Sequence, residues 1–161
     1  MDLVEKFPIV ATGGTFDEIH IGHIALLSRA FRAGNRVIIG ISSDEFARKR
    51  GKVLKHDFDQ RVENVKKLIK SEFGSKVAYE IAKLESEFGP TVTTGDVGAL
   101  VASHETQVKG RLLNEMRVKN GLRPVEIITV DLIRAEDGSP ISSTRIRAGE
   151  IDNRGRLLKR R

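Results

Sequence analysis

The chain contains no cysteine. Without thiols it cannot form a disulfide framework, bind a metal through thiolates or use a thiol as a nucleophile. The N-terminus also lacks the basic start and apolar run of a secretory signal, and no stretch approaches the roughly 18 apolar residues of a membrane span. We therefore expect a soluble, cytoplasmic protein with no membrane partner.

A length of 161 residues suits one hydrophobic core and is short for two. The formal net charge is +6, but five basic side chains crowd into the last eight residues and the rest of the chain is close to neutral. We predict a single domain over residues 1–153 and a solvated, disordered basic tail over residues 154–161. This distribution argues against a nucleic-acid partner.

Short β-branched runs alternate with longer stretches of helical spacing, which is typical of strand and helix crossovers onto a parallel sheet. The sequence therefore predicts an α/β fold with a doubly wound five-stranded parallel sheet. The predicted strands cover residues 9–12, 37–42, 77–84, 99–103 and 125–130.

Three segments have the apolar spacing of amphipathic helices. The first is marked by Ile24, the second lies near residues 62–69, and the third runs over residues 105–120. In the third helix we expect Val108, Leu112 and Met116 on the inner side. The segment over residues 88–97 is the least regular and is predicted to be a loop.

The segment TGGTFDEIHIGH, residues 12–23, follows the first predicted strand and enters the first predicted helix. A strand, a glycine turn and a helix N-terminus form a natural anion site, because unpaired N–H groups and the helix dipole point there. Gly13 and Gly14 let the chain turn tightly and let a ligand approach the backbone.

His20 and His23 are three residues apart with Gly22 between them. If Gly22 lies in the first helical turn, both imidazoles can face one cavity and donate to phosphate oxygens. An alternative is that they only cap and pack the helix. Metal ligation is a third reading, but only His56 and His104 remain and no third ligand is suggested by spacing, so no metal site is predicted.

A second polar motif, ISSTRIR, occupies residues 141–147. Ser142, Ser143 and Thr144 offer short hydroxyls and are good N-cap residues, so a helix beginning here would also direct amides at phosphate. Taken alone, such a cluster is usually only a cap.

These two motifs together resemble the signatures of the HxGH nucleotidyltransferase superfamily, G-T-F-D-x-x-H-x-G-H over residues 14–23 and I-S-S-T-x-I-R over residues 141–147. The stretch VASHET over residues 101–106, continued by Gly110, Asn114 and Arg117, is similar to the archaeal phosphopantetheine adenylyltransferases. The resemblance implies a Rossmann-like fold and the reaction of ATP, with Mg²⁺, and 4′-phosphopantetheine to dephospho-CoA and pyrophosphate, a step of coenzyme A biosynthesis.

The resemblance also implies roles for the first motif. Thr15 would orient the acceptor phosphate, His23 would stabilise the pentacoordinate α-phosphate, and His20 would contact the nucleotide phosphates. Nucleotide binding would further involve the glycines Gly13, Gly14 and Gly22.

Other roles follow from the rest of the resemblance. A lysine of the basic segment, Lys49 or Lys52, would bridge the two reactants. The hydroxyls of Ser142, Ser143 and Thr144 would hold the β- and γ-phosphates. Arg117 is a candidate nucleotide ligand, and Lys109 and Asn114 are candidates for the acceptor.

Two alternatives remain at this point. One is another nucleotidyltransferase of the superfamily, with nicotinamide mononucleotide, FMN or glycerol 3-phosphate as acceptor. The other is a non-catalytic nucleotide- or RNA-binding protein that uses the basic tail. The sequence does not determine the oligomeric state, and a monomer is our working expectation.

Overall fold

The computed structural model describes residues 6–89, 95–131 and 133–158, without the side chains of residues 104–108 and 143. Strands and helices alternate along these ranges. Their bounds are β1 (Phe7–Gly14), α1 (Ile21–Ala33), β2 (Gly34–Ser42), α2 (Asp44–Lys49), α3 (Phe58–Phe73), β3 (Tyr79–Leu84), β4 (Val97–Ser103), α4 (His104–Lys119), β5 (Glu126–Val130) and α5 (Ser143–Arg147).

The five strands form one sheet in the order β3-β2-β1-β4-β5, and every neighbouring pair is parallel. The chain builds outward from β1 to β2 and β3, then returns to the other side of β1 to add β4 and β5. The predicted doubly wound α/β fold is therefore confirmed. In such a sheet the order reverses between β1 and β4, and ligands bind beyond the carboxyl ends of the strands there.

The sheet buries apolar side chains on both faces. On one face Val10, Ile39 and Val101 pack with α1 and α3, and on the other Ala11 and Ile38 belong to a cluster completed by α4. Residues adjacent in sequence within β1 and β2 thus serve opposite faces, as the twofold period of a strand requires.

Helix α4 turns a different side to the sheet than the sequence predicted. Leu113 is fully buried, whereas Leu112 and Met116 are 49% and 37% exposed, so the prediction that these two face inward is wrong. The close approach at Gly110 explains the rotation, because a Cβ there would lie 2.7 Å from Ile127 Cδ1. The need for a glycine at the contact with the sheet thus decides which side of α4 faces inward, even though two large apolar residues are left exposed. The side chain of Val108 lies outside the described residues.

The described part of the predicted tail, residues 154–158, returns to the body of the fold. Ile151 pairs with Leu157 in an antiparallel bridge, and the N–H of Glu136 donates to the carbonyl of Gly155 at 2.7 Å. Residues 159–161 lie outside the described ranges, as do residues 90–94 of the predicted loop. No helix in the described part of the chain is long and apolar enough to cross a membrane.

Candidate active site

A pocket of about 370 Å³ opens where the carboxyl ends of the strands meet the two polar motifs. The fold brings these motifs together although some 120 residues separate them, and an ion pair between Asp17 and Arg147 links them. The predicted site residues that line the pocket are Gly13, Gly14, Thr15, His20, Gly22, His23, Lys52, Lys109, Ser142 and Thr144.

The two histidines form a reciprocal cap at the start of α1. The backbone N–H of Gly22 donates to His20 Nδ1 at 3.0 Å, and the backbone N–H of His20 donates to His23 Nδ1 at 3.1 Å. A ring nitrogen that accepts an N–H must carry a lone pair, so a neutral ring holds its proton on Nε2. The structure thus shows the capping contacts, and these leave Nε2–H of each neutral ring available as a donor, so that capping does not exclude the predicted role toward phosphate.

Burial keeps both rings uncharged. Desolvation lowers the pKa of His20 to about 4, and desolvation together with the neighbouring His20 lowers the pKa of His23 to about 3. The rings lie with centroids 4.0 Å apart, so charging both would place two cations in contact. Near neutral pH the site therefore offers two neutral imidazole donors.

The amides of the first turn of α1 already have partners within the chain. The N–H of Ile21 donates to the carbonyl of Asn153 at 3.1 Å, that of Gly22 to the His20 ring, and that of His23 to the carbonyl of His20 at 3.0 Å. The expectation that these amides point unpaired at an anion is therefore corrected. These three amides are therefore already used within the chain, whereas His20 and His23 line the pocket and keep Nε2 for a ligand.

Phe16 fixes the turn between β1 and the histidines. It is buried, lies 5.0 Å from the His23 ring between centroids, and has φ of 55°. A phenylalanine in the left-handed region is strained, and such strain persists only where surrounding contacts enforce it. Thr15 therefore lines the pocket, and the buried ring of Phe16 holds the turn against the core.

Asp17 joins three parts of the site. Its carboxylate accepts from the backbone N–H of Lys55 at 3.0 Å and of His56 at 2.9 Å, and from the guanidinium of Arg147 at 3.3 Å. It is 4% exposed. This buried carboxylate therefore ties the first motif to the segment before α3 and to α5, which carries the second motif.

Arg61 was not identified from the sequence, although it is fully buried beside the pocket. Its guanidinium donates to the carbonyls of Thr15 and Ser42, both at 2.8 Å, and to the Asp44 carboxylate at 2.7 Å. It thereby holds the ends of β1 and β2 at a fixed separation. The sequence did contain an indication of this role. Arg61 lies four residues before Val65, so it is a charged residue on the apolar face of α3.

The basic segment contributes Lys52 and an arginine that the sequence analysis did not single out. Arg50 and Lys52 both line the pocket. Lys49 does not line it, and its side chain is 75% exposed and lies 3.9 Å from Glu45 on the outer surface of α2. Of the two predicted lysines, Lys52 therefore lies at the pocket and Lys49 does not, and Arg50 adds a second cation to the lining.

The second motif enters the pocket at the start of α5. Ser142 is the N-cap residue, and its Oγ accepts from the backbone N–H of Arg145 at 3.2 Å. Thr144 lies exposed at the pocket, and the side chain of Ser143 falls outside the described residues. Arg145 itself pairs with Asp137 and Glu150, so its charge serves the local structure.

Two predicted residues of α4 do not reach the pocket. Asn114 exchanges hydrogen bonds with the backbone of Val125, donating at 3.0 Å and accepting at 2.7 Å. Arg117 is fully buried and donates to the carbonyls of Arg123 and Val97. Both side chains therefore fasten α4 to the start of β4 and β5, at the end of the sheet away from the pocket, and their predicted roles at the nucleotide and the acceptor stay predictions.

The described residues contain no group of three His, Asp or Glu side chains arranged to hold a metal ion. The charged residues that line the pocket are three basic ones, Arg50, Lys52 and Lys109, and two acidic ones, Glu87 and Asp131. Basic side chains, neutral imidazole donors and short hydroxyls suit a polyphosphate ligand.

Comparison with known proteins agrees with this chemistry. The chain matches the Cytidylyltransferase-like family over residues 11–149. It is 43% identical to the phosphopantetheine adenylyltransferase of Methanothermobacter thermautotrophicus, over 96% of this chain and 92% of the relative. The enzyme of the same name from Methanopyrus kandleri is 39% identical, over 94% and 96% respectively. A solved structure of a protein of unknown function from Archaeoglobus fulgidus aligns with a TM-score of 0.68 and 38% identity, covering 76% of this chain and 88% of that one.

Proposed function

Because this chain belongs to the cytidylyltransferase-like family and, within it, to the archaeal phosphopantetheine adenylyltransferases, we propose that it transfers the adenylyl group of ATP to 4′-phosphopantetheine. The products are dephospho-CoA and pyrophosphate. The observation that carries the proposal is the meeting of two neutral imidazole donors with Arg50 and Lys52 in one pocket.

The reaction is an in-line displacement at phosphorus. An oxygen of the acceptor phosphate attacks the α-phosphorus of ATP, and the bond from that phosphorus to the pyrophosphate oxygen breaks. The protein supplies no covalent intermediate, so its work is to position the reactants and to stabilise charge. The Nε2–H groups of His20 and His23 donate to the α-phosphate oxygens as negative charge grows on them.

The cations act on the two reacting phosphates. Lys52 and Arg50 both line the pocket. We assign to Lys52 the bridge between the acceptor phosphate and the α-phosphate, and to Arg50 the stabilisation of the departing pyrophosphate. Thr15 orients the acceptor phosphate from the end of β1, held there by the hydrogen bond from Arg61 to its carbonyl. Fixed donors of this kind need no reorganisation during the reaction.

The second motif holds the remote phosphates of ATP. Ser142 and Thr144 line the pocket next to the histidine turn, so their hydroxyls suit the β- and γ-phosphates. We propose that ATP arrives as its Mg²⁺ complex. Magnesium bound to nucleotides keeps several waters and takes its other ligands mainly from phosphates, so a protein needs no dedicated cage of carboxylates for it.

The acceptor arm has a separate place in the pocket. Ala11, Ile38, Phe88 and Leu100 line the pocket and also belong to the apolar cluster on the α4 face of the sheet. We call these four residues the apolar lobe. When the phosphate of 4′-phosphopantetheine is bound near Thr15, its mostly uncharged pantetheine arm can occupy this lobe.

The test is pyrophosphate release with ATP and Mg²⁺, with 4′-phosphopantetheine, nicotinamide mononucleotide, FMN and glycerol 3-phosphate offered as separate acceptors. The proposal expects release with 4′-phosphopantetheine alone. Release with another acceptor would keep the chemistry and replace the substrate. No release with any of the four, together with steeply salt-dependent RNA binding, would favour the non-catalytic alternative.

A further inference from the structure

The pocket contains an ion pair that the reaction described above does not use. Lys109 of α4 and Glu87, from the segment after β3, both line the pocket and form a salt bridge with each other. Their side chains are 33% and 37% exposed. The two residues come from elements on opposite sides of the pocket, since α4 covers β4 and β5 while β3 is the far edge of the sheet.

The pair lies at the apolar lobe. Phe88 follows Glu87 directly and belongs to the lobe, and Lys109 precedes Gly110, where a Cβ would lie 2.7 Å from Ile127 Cδ1 of the sheet. Two glycines, Gly13 and Gly40, also line the pocket, and neither has room for a side chain. A Cβ on Gly40 would lie 2.7 Å from Leu84, and one on Gly13 would lie 3.0 Å from the Gly40 carbonyl oxygen. The salt bridge and these two glycines therefore belong to the lining of one pocket.

We propose that the Glu87–Lys109 pair selects the acceptor by keeping the mouth of the apolar lobe electrically balanced, so that the lobe takes an uncharged arm bearing amides and rejects an arm that ends in a carboxylate. This inference rests on the proposed function. Lys109 alone would attract a carboxylate, and Glu87 cancels that attraction. Specificity is a difference between two affinities, so removing an attraction that only the competing acceptor could use raises it.

The pair is suited to a role in selection rather than in stability. A salt bridge between side chains this exposed contributes little to folding, so its removal should leave the fold intact. The same exposure leaves the Lys109 ammonium and the Glu87 carboxylate accessible to the amide groups of a bound arm. Other cations of the pocket, Arg50 and Lys52, remain for the acceptor phosphate, so the charge at the lobe can change without removing phosphate binding.

Two acceptors with the same phosphate end test the proposal. The arm of 4′-phosphopantetheine continues through a second amide to a thiol, whereas 4′-phosphopantothenate ends in a carboxylate at that point. The quantity to measure is the ratio of kcat/KM for the first acceptor to kcat/KM for the second, at saturating ATP. The KM for ATP serves as an internal reference for the rest of the site.

Glu87→Gln should lower this ratio by about fivefold, the size of effect that partly exposed charge contacts produce, with the KM for ATP changed less than about twofold. Lys109→Gln should raise the ratio, because Glu87 then repels the carboxylate. The double variant Glu87→Gln with Lys109→Gln should return close to the parent ratio. A merely structural role of the pair does not produce opposite changes that cancel.

Glu85→Gln is the matched control, since Glu85 is exposed in the same segment and is not among the described residues that line the pocket. It should keep the parent ratio. Equal ratios for the parent, Glu87→Gln and Glu85→Gln would overturn the inference while the parent's turnover with 4′-phosphopantetheine leaves the proposed function standing. Absence of that turnover in the parent would overturn both.

Discussion

The Nδ1 atom of His23 accepts a hydrogen bond from the backbone N–H of His20 at 3.1 Å. This contact fixes the orientation of the His23 ring and leaves the proton of the neutral ring on Nε2. The motif therefore performs two tasks with the same side chains. It closes the first turn of α1, and it presents hydrogen-bond donors to the pocket without placing a charge there.

Replacing His23 by alanine should lower kcat on the order of 100-fold or more, because it removes a donor to the charge that develops on the α-phosphate. The substitution also removes a cap contact, which costs about 1 kcal/mol of folding stability. Steady-state kinetics and a thermal unfolding curve on the same preparation separate the two effects. A folded variant with near-normal turnover would show that His23 has no such role.

The lowered pKa values of His20 and His23 predict a loss of stability in acid. Between the ordinary histidine value near 6.5 and their folded values of about 4 and 3, the unfolded chain binds protons that the folded chain excludes. Their contribution is therefore complete above that ordinary value and is lost as the pH falls toward the folded values.

The measurement is the unfolding midpoint at pH 7 and pH 5 for the parent and for His20→Asn with His23→Asn, since asparagine is a good N-cap residue. The drop in midpoint should be smaller in the variant by about 4 °C or more. Equal drops would mean that the two rings titrate alike in the folded and unfolded chain.

Alanine substitutions at Lys52 and Lys49 should have very different effects on kcat/KM. Lys52→Ala should reduce kcat/KM on the order of 100-fold, because it removes a cation from the reacting phosphates. Lys49→Ala should change it by less than about twofold, because an exposed surface pair contributes little. The two variants control for each other, and a larger loss at Lys49 would assign the bridging role to that residue.

Replacing Arg117 should lower the stability of the fold and leave the KM for ATP nearly unchanged. Removing its guanidinium in Arg117→Met leaves the carbonyls of Arg123 and Val97 without this donor, so the free energy of unfolding should fall by about 1–3 kcal/mol. The KM for ATP should stay within about twofold at a temperature where the variant is folded. Weaker ATP binding with unchanged stability would restore the nucleotide role that the sequence suggested.

The sequence was sufficient for the sheet because buried parallel strands leave a direct signal. Each predicted strand overlaps an observed one, and the run over residues 37–42 falls within β2, which is almost entirely buried. The short helix α2 was not predicted, because its DEFARK sequence has too little length to show a period. The inner face of α4 was mispredicted because Gly110 and Arg117 occupy positions where apolar residues are usually sought.

The site was predictable where a motif is continuous and less so where the fold assembles it. The glycine and histidine turn and the hydroxyls near α5 were identified from adjacent residues, and both reach the pocket. The partners of Asp17, the buried Arg61 and the pairing of Glu87 with Lys109 join residues far apart in sequence. No spacing rule connects such residues before the strands are placed side by side.

The most direct test of the account is to follow the α-phosphorus itself. The enzyme is given ATP labelled at the α-phosphate, Mg²⁺ and 4′-phosphopantetheine, and the products are separated. The account predicts that the label appears in dephospho-CoA, in amounts equal to the unlabelled pyrophosphate released, and that His23→Ala nearly abolishes this transfer. Label recovered as free AMP, or retained in ATP while the protein is folded and binds both substrates, would contradict it.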